Sequence, residues 1–328
     1  MMKTINWQTF WQHRRLGNFI LLPLSVIFYV VTAMRRYGYR CGLFKSEKAP
    51  LPVVVIGNIN VGGAGKTPLV IGLGKLLAEN GIQYAVISKG YGGSYEPPTV
   101  VTDSHSATVV GDEPLLIKLK CDCPVVVAKS RLEATQLVAE QFPQTQVILT
   151  DDGLQHYWLQ RDMEICVINQ KVGLGNGWVL PAGGLREPPS RLKSVDFVVS
   201  NGDNSQPYHY ILADRDWYHI NTDERRYHDE FSTDSVQNLA LSGIAHPQLF
   251  FDSLEKFGIV AKTKPLPDHY GITDSDLPSD KTLLMTEKDW VKAKAFTHSD
   301  AWYLSVEAVL SEQLQHDFLH KIQQLINH

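Results

Sequence analysis

The chain has 328 residues, 44% hydrophobic and 20% charged, which excludes a largely disordered protein and leaves length for two packed domains. A formal net charge of -4 gives no global attraction to nucleic acid, so no such partner is expected and any anion binding is local. Cys41, Cys121, Cys123 and Cys166 form no CxxC pair and are too few for a disulfide scaffold, so they read as idle thiols in a reducing compartment.

The first predicted element is the uncharged run 16–34, preceded by Arg14 and Arg15 and followed by Arg35, Arg36 and Arg40. A spanning helix needs about 20 apolar residues, so the run is borderline, and Gly17, Asn18 and Pro23 interrupt it. The basic flanks suit anionic headgroups, and Trp7, Phe10 and Trp11 suit an interface. A cleaved signal peptide, with Val31 and Ala33 spaced for cleavage, and a buried core helix are the competing readings.

Short unbroken apolar runs follow at 53–56, 84–88, 124–128, 146–150, 164–169 and 196–200, alternating with helical stretches. Such runs belong to a mostly parallel sheet covered on both faces. The notable polar residues stand just past their C-terminal ends, where open α/β sheets bind ligands. A turn-rich stretch at 201–207 reads as a boundary, and runs at 239–241, 283–285 and 302–305 define a smaller α/β region beyond it. The expected organisation is a helical segment 1–40, a main domain 41–205 and a C-terminal domain 206–328, with substrate in the cleft between the last two.

The stretch Asn60-Val61-Gly62-Gly63-Ala64-Gly65-Lys66-Thr67 matches a phosphate-binding P-loop except that Asn60 stands at the first glycine. Its glycines let backbone N–H groups turn toward phosphate, the lysine reaches the β- and γ-phosphates, and the threonine hydroxyl joins a Mg²⁺ shell. ATP and Mg²⁺ are thus the expected cofactors, and cytosolic ATP favours attachment of the N-terminal segment from the cytosolic side. A carboxylate from a neighbouring strand completes the metal site, and Asp151 with Asp152 ends the run 146–150. Asp151 reads as the metal-side residue, with Asp152 positioning it or contacting the acceptor. Transfer to an alcohol also needs a base; Asp112 of GDEP and His269 of DHY are both candidates, and spacing does not choose between them. A guanine-reading N-K-x-D element is absent in register: in Thr286-Glu287-Lys288-Asp289 the lysine falls one place late.

In order, the motifs are VVVIGNINVGGAGKTP from Val53, SKGYGG from Ser88, GDEP from Gly111, DDGLQH from Asp151 and GLGNGWVLPAGGLREP from Gly173. SGIAHPQLFF from Ser242, PDHY from Pro267 and TEKDWVK from Thr286 follow. Together they resemble the tetraacyldisaccharide 4'-kinase family of lipid A biosynthesis. The resemblance implies a P-loop fold with a smaller α/β domain closing over the nucleotide and an N-terminal membrane anchor. It also implies transfer of the ATP γ-phosphoryl to the 4'-hydroxyl of a tetraacylated glucosamine disaccharide 1-phosphate, at the cytoplasmic face of the inner membrane. The partners it implies are that lipid precursor and the membrane surface, with no required protein partner. On the family pattern Lys66 and Thr67 handle phosphate and Mg²⁺, and Asp112 is the base with His269 tuning it. Asp151 and Asp152 organise the metal side. Tyr91, Arg186 and Glu187 line the nucleotide site, with Glu187 joining Thr67 and Asp151 around the metal. Lys129 and Arg131 are candidates to complement phosphate charge. Lys89, Gly184 and Asn169 depart from the family's usual arginine, proline and aspartate.

Overall fold

The structure is a computed structural model that describes residues 7–96, 98–222, 224–232, 234 and 236–327. Residues 1–6 of the expected segment 1–40 lie outside the described residues. Helices α1 (Trp7–Gln12) and α2 (Leu16–Arg40) come first, and α2 runs on through Pro23. They are followed by β1 (Val53–Gly57), α3 (Lys66–Glu79), β2 (Tyr84–Ser88), β3 (Thr99–Val100), α4 (Ala107–Val110) and α5 (Asp112–Lys120). Next are β4 (Val125–Val127), α6 (Arg131–Gln141), β5 (Val147–Asp151), β6 (Met163–Asn169), β7 (Phe197–Asn201), β8 (His209–His219) and β9 (Arg225–Arg226). β10 (Asn238–Ser242), α7 (Pro247–Lys256), β11 (Lys262–Pro265), β12 (Thr282–Thr286), α8 (Glu287–Ala293), β13 (Ala301–Leu310) and α9 (Glu312–Ile326) complete the order.

Two compact units interleave along the chain. One holds Met1–Val86, Arg131–Ile211 and Leu310–His328; the other holds Ile87–Ser130 and Leu212–Val309. The turn-rich stretch at 201–207 suggests consecutive spans, 41–205 and 206–328. The units differ because Ile87–Ser130 packs with the later region and α9 with the earlier one.

In the first unit the strands lie in the order β7-β6-β1-β5-β2. β1 is parallel to β5 and β6, with Val53 opposite Ile148 and Val54 opposite Met163, and β6 is parallel to β7. All five residues of β1 are buried, as a central strand covered on both faces requires. Leu69, Val70, Leu73 and Leu77 bury α3, and α9 packs on it through Leu314, Phe318 and Ile322, spaced four apart along one helical face. Ser311 starts α9 by accepting from Leu314 N at 3.3 Å. Each such side chain stabilises by roughly 1.5–3 kcal/mol when fully buried.

Helix α2 has its polarity turned outside in. Asn18 and Ser25 are buried, while Leu16, Ile20, Leu24, Val26, Ile27 and Met34 are exposed. Asn18 Nδ2 donates to Ala182 O at 2.8 Å, and Ser25 Oγ donates to Val179 O at 2.9 Å and accepts from Ala182 N at 2.8 Å. The helix is long and apolar enough to cross a membrane.

In the second unit β11-β10-β12-β13 run parallel in that order, with β8 beside β13. β9 and β3 pair antiparallel with β8 and β4 respectively. Alternation along the strands splits the core into two clusters: Ala240 and Leu284 join Trp217, Phe250, Phe251 and Trp302. Leu239, Leu241, Leu283 and Met285 join Ile272, Leu277 and Ala301 in the other.

Candidate active site

The phosphate loop leaves the end of β1 and is held from behind by side chains. Asn60 Nδ2 donates to Gly173 O at 2.6 Å, and Val61 N to Gly184 O at 2.8 Å. Asn201 Nδ2 donates to Ala64 O at 3.1 Å, and Tyr210 Oη to Gly65 O at 2.5 Å. Gly65 has φ +88, and a Cβ there would lie 2.3 Å from both Asn201 Nδ2 and Tyr210 Oη. Only glycine fits that position, on conformation and on space. Asn201 and Tyr210 were not foreseeable as supports, because they stand in and beside a stretch that reads as a domain boundary.

Around the loop the first unit gathers Lys66, Thr67, Asp151, Asp152 and Arg186. Thr67 Oγ1 donates to Asp151 Oδ2 at 3.2 Å. Lys66 Nζ is 3.5 Å from Asp152 Oδ1, and Arg186 Nη1 is 3.5 Å from each Asp152 oxygen. Arg131 is buried and donates to the carbonyls of Asp151 and Asp152 at 2.7 and 3.0 Å. Asp152 has φ +51, a left-handed conformation uncommon outside glycine, asparagine and aspartate. Burial would push the Asp152 carboxyl up, but Lys66, Arg186 and Arg131 outweigh it and hold the group below the usual carboxylate range.

Glu187 is linked to this cluster through Gln155, whose Oε1 accepts from Arg186 Nη1 at 3.4 Å. Gln155 Nε2 donates to Glu187 Oε1 at 2.9 Å, the Tyr157 hydroxyl donates to Glu187 Oε2, and Arg191 Nε is 3.3 Å from Oε2. Arg36 of α2 approaches the same oxygen at 4.0 Å. Burial and then Glu187 push the Tyr157 phenol well up, so it stays a donor. Lys129 is exposed and faces Glu96 at 3.5 Å.

The second unit brings Asp112 and His269 together. Gly111, at φ +91, separates α4 from α5, and a Cβ there would lie 3.0 Å from the backbone of Gly90 and Tyr91. This close approach sets Asp112 in the first turn of α5, where the helix N-terminus favours a negative charge. Nδ1 of His269 lies 3.0 and 3.2 Å from the two oxygens of the buried Asp112. The Tyr91 ring stands 5.1 Å from the imidazole, centroid to centroid. Burial raises the Asp112 carboxyl, but the bond from His269 and then the Lys288 charge overcome it and hold the group below its ordinary value. His269 is raised chiefly by its bond to Asp112, against burial and Lys288. The Asp289 carboxylate accepts from Gly243 N and Thr286 Oγ1 and pairs with Lys292 at 2.8 Å, so the off-register guanine-like stretch caps and braces α8.

A buried parallel strand feeding a glycine-rich loop and helix, a hydroxyl–carboxylate pair at the next strand's end, and a paired carboxylate and imidazole define an α/β P-loop kinase. The profile of the tetraacyldisaccharide-1-P 4'-kinase family, LpxK, matches residues 17–323, and the chain belongs to that family. It is 42% identical over 314 residues to a tetraacyldisaccharide 4'-kinase of Idiomarina loihiensis, covering 94% of each chain. It is 41% identical to that of Pseudoalteromonas atlantica, covering 92% of this chain and 99% of the relative. The crystal structure of LpxK from Aquifex aeolicus in complex with ATP superposes with a TM-score of 0.78 at 27% identity, covering 95% of this chain and 100% of that one. The chain is accordingly an ATP-dependent kinase of lipid A biosynthesis.

Proposed function

We propose that the chain joins the 4'-oxygen of a tetraacylated glucosamine disaccharide 1-phosphate to the γ-phosphorus of ATP as the bond to the β–γ bridging oxygen breaks and ADP leaves. Asp112 takes the proton from the attacking hydroxyl, with His269 orienting the carboxylate and sharing the proton. Lys66 and the loop amides stabilise charge on the transferring group, and Asp152, itself paired with Arg186, holds Lys66 in place. Arg131 acts through the backbone of Asp151 and Asp152, and Tyr91 packs beside His269.

The donor set fits a magnesium ion: Thr67 Oγ1 and Asp151 Oδ2, 3.2 Å apart, are hard oxygens, and Mg²⁺ sites with few protein ligands are completed by phosphate and water. Thr67 and Asp151 would hold the ion, which when bound neutralises phosphate charge. Glu187, its carboxylate oriented by Gln155, Tyr157 and Arg191, would join them as the further carboxylate of the metal set that the resemblance implies.

The exposed apolar face of α2, with Arg35, Arg36 and Arg40 near its end, supports a lipid-facing helix at an anionic surface. Because ATP is cytosolic, that surface is the cytoplasmic face of the inner membrane. Residues 1–40 serve as the membrane segment; the nucleotide-loop residues belong to the first unit and Asp112 and His269 to the second.

The observation that carries this reading is the buried Asp112 carboxylate with His269 Nδ1 3.0 Å away. The test is transfer of labelled γ-phosphate to the tetraacylated disaccharide 1-phosphate in mixed micelles, wild type beside Asp112→Ala, with ATP binding measured in parallel. Label on the lipid with wild type alone, at equal ATP affinity, is expected. Near-normal turnover in Asp112→Ala rules out the base role.

A further inference from the structure

Helix α8 opens with Thr286-Glu287-Lys288-Asp289, and no role assigned so far uses Lys288. Its neighbours account for the rest of the stretch: Glu287 pairs with Lys120 of α5, and Asp289 with Lys292. Lys288 Nζ instead stands among three carboxylates, 3.1 Å from Glu113 Oε1, 3.5 Å from Asp268 Oδ1 and 3.7 Å from Asp112 Oδ2. Its side chain is only 19% exposed. A lysine that merely solubilised the surface would keep its ammonium in water.

We propose that Lys288 is a positioning residue for the transfer, holding the Asp112–His269 pair in its proton-free form so that the pair accepts the hydroxyl proton at neutral pH. This rests on the base role given to Asp112 above. A fixed positive charge beside the carboxylate disfavours every added proton on the pair, whichever partner carries it. The groups facing the pair come from each element around it: Glu113 on α5, Asp268 beside His269, Lys288 and Lys292 on α8, and the Tyr91 ring. Without Lys288, Glu113 and Asp268 would tighten the pair's hold on a proton; Lys288 contacts both and offsets them.

The directions agree with that geometry. Lys288 helps hold Asp112 below the carboxylate range, and it opposes the rise that Asp112 imposes on His269. Burial pulls Lys288 down, but Glu113, Asp112 and Asp268 outweigh it, so the ammonium stays charged wherever the enzyme works. The pair retains one intrinsic opposing influence, the bond between its members. Lys288 sets where that balance falls on the pH scale.

The experiment compares kcat and KM for ATP from about pH 5.5 to about pH 9 in mixed micelles for wild type, Lys288→Met, Lys288→Arg and Asp112→Ala. Lys288→Met is expected to move the acid limb of kcat up by about one pH unit, a roughly tenfold loss at the acid end that fades toward alkaline pH. KM for ATP is expected to stay within about twofold, and Lys288→Arg to restore the limb. Lys288→Gln, neutral but still a hydrogen-bond donor, carries the same expectation and covers a methionine variant that does not fold. A loss equal at every pH, or an unmoved acid limb in a folded variant, overturns the proposal. Turnover that survives in Asp112→Ala removes the base reading itself, and is seen independently of any Lys288 variant.

Discussion

Tyr210 gives the sharpest test of how the phosphate loop is held. Its side chain is fully buried, and its hydroxyl donates to Gly65 O at 2.5 Å, at the residue whose left-handed turn launches α3. Burial pushes the phenol well above its ordinary value, so it is a donor at every working pH. Tyr210→Phe keeps the ring and leaves the Gly65 carbonyl without that donor. That carbonyl then keeps only the long 3.5 Å bond from Leu69 N, a loss that costs about 1–3 kcal/mol. If the hydroxyl fixes the loop in its phosphate-ready shape, the share that falls on ATP binding weakens affinity up to tenfold for each 1.4 kcal/mol or so. We expect the ATP dissociation constant, measured by calorimetry on the intact enzyme, to rise by about five- to thirtyfold. Urea unfolding without ATP should report a comparable loss of stability. A variant that loses stability but binds ATP as wild type does would show that Tyr210 fills space without shaping the loop, and would refute the reasoning.

Other expectations follow from the same geometry. Lys66→Ala should cut label transfer on the order of a thousandfold while unfolding like wild type, since one preorganised charge at the transferring group contributes on that scale; a tenfold effect or less would count against its assigned role. Asp152 is held below the carboxylate range, so its contribution to stability is present above about pH 4, the unfolded value, and lost as pH falls through its lower folded value. Acid titration of unfolding should therefore show wild type and Asp152→Asn converging at low pH and diverging above it, and parallel curves would contradict the assignment. Ser25→Ala strands Ala182 N, while Val179 O keeps its bond from Gly183 N, and should cost about 1–3 kcal/mol in thermal unfolding, with recovery on vesicles unchanged. Trp302→Ala should destabilise by about 3–5 kcal/mol in urea, because the ring is nearly fully buried among Trp217, Phe231 and Leu284.

What was legible in the sequence is what is local. The runs at 53–56, 146–150 and 164–169 became β1, β5 and β6 because strands buried on both faces need no alternation to be recognised. The loop from Asn60 to Thr67 was readable because its chemistry lies within one turn of chain. Spacing alone showed Asp112 and His269 singly and only the family resemblance joined them, since their meeting depends on a turn at Gly111 and a left-handed backbone at His269 itself. β8 escaped notice because Asp214, Arg215 and Asp216 break up any apolar run, while Tyr210 and Trp217 bury only single points of it. Tyr210 and Asn201 gave no signal of their own, as a phenol and an amide supporting two carbonyls form no pattern. In α2, Asn18 and Pro23 argued against a continuous helix; Asn18 is satisfied by Phe10 O and Ala182 O.

The interleaving of the two units bears on how the molecule is made. The chain passes from one unit to the other after Val86, Ser130, Ile211 and Val309. The ribosome delivers β1 and the phosphate loop early, yet α9, which covers α3 with Leu314, Phe318 and Ile322, is translated after every residue of the proposed chemistry. The nascent nucleotide unit thus keeps an apolar strip uncovered until α9 has emerged, a period in which chaperones have something to hold. A nonsense mutation or a protease nick just beyond Leu310 would leave Lys66, Asp112 and His269 all in place and still leave that unit unfinished.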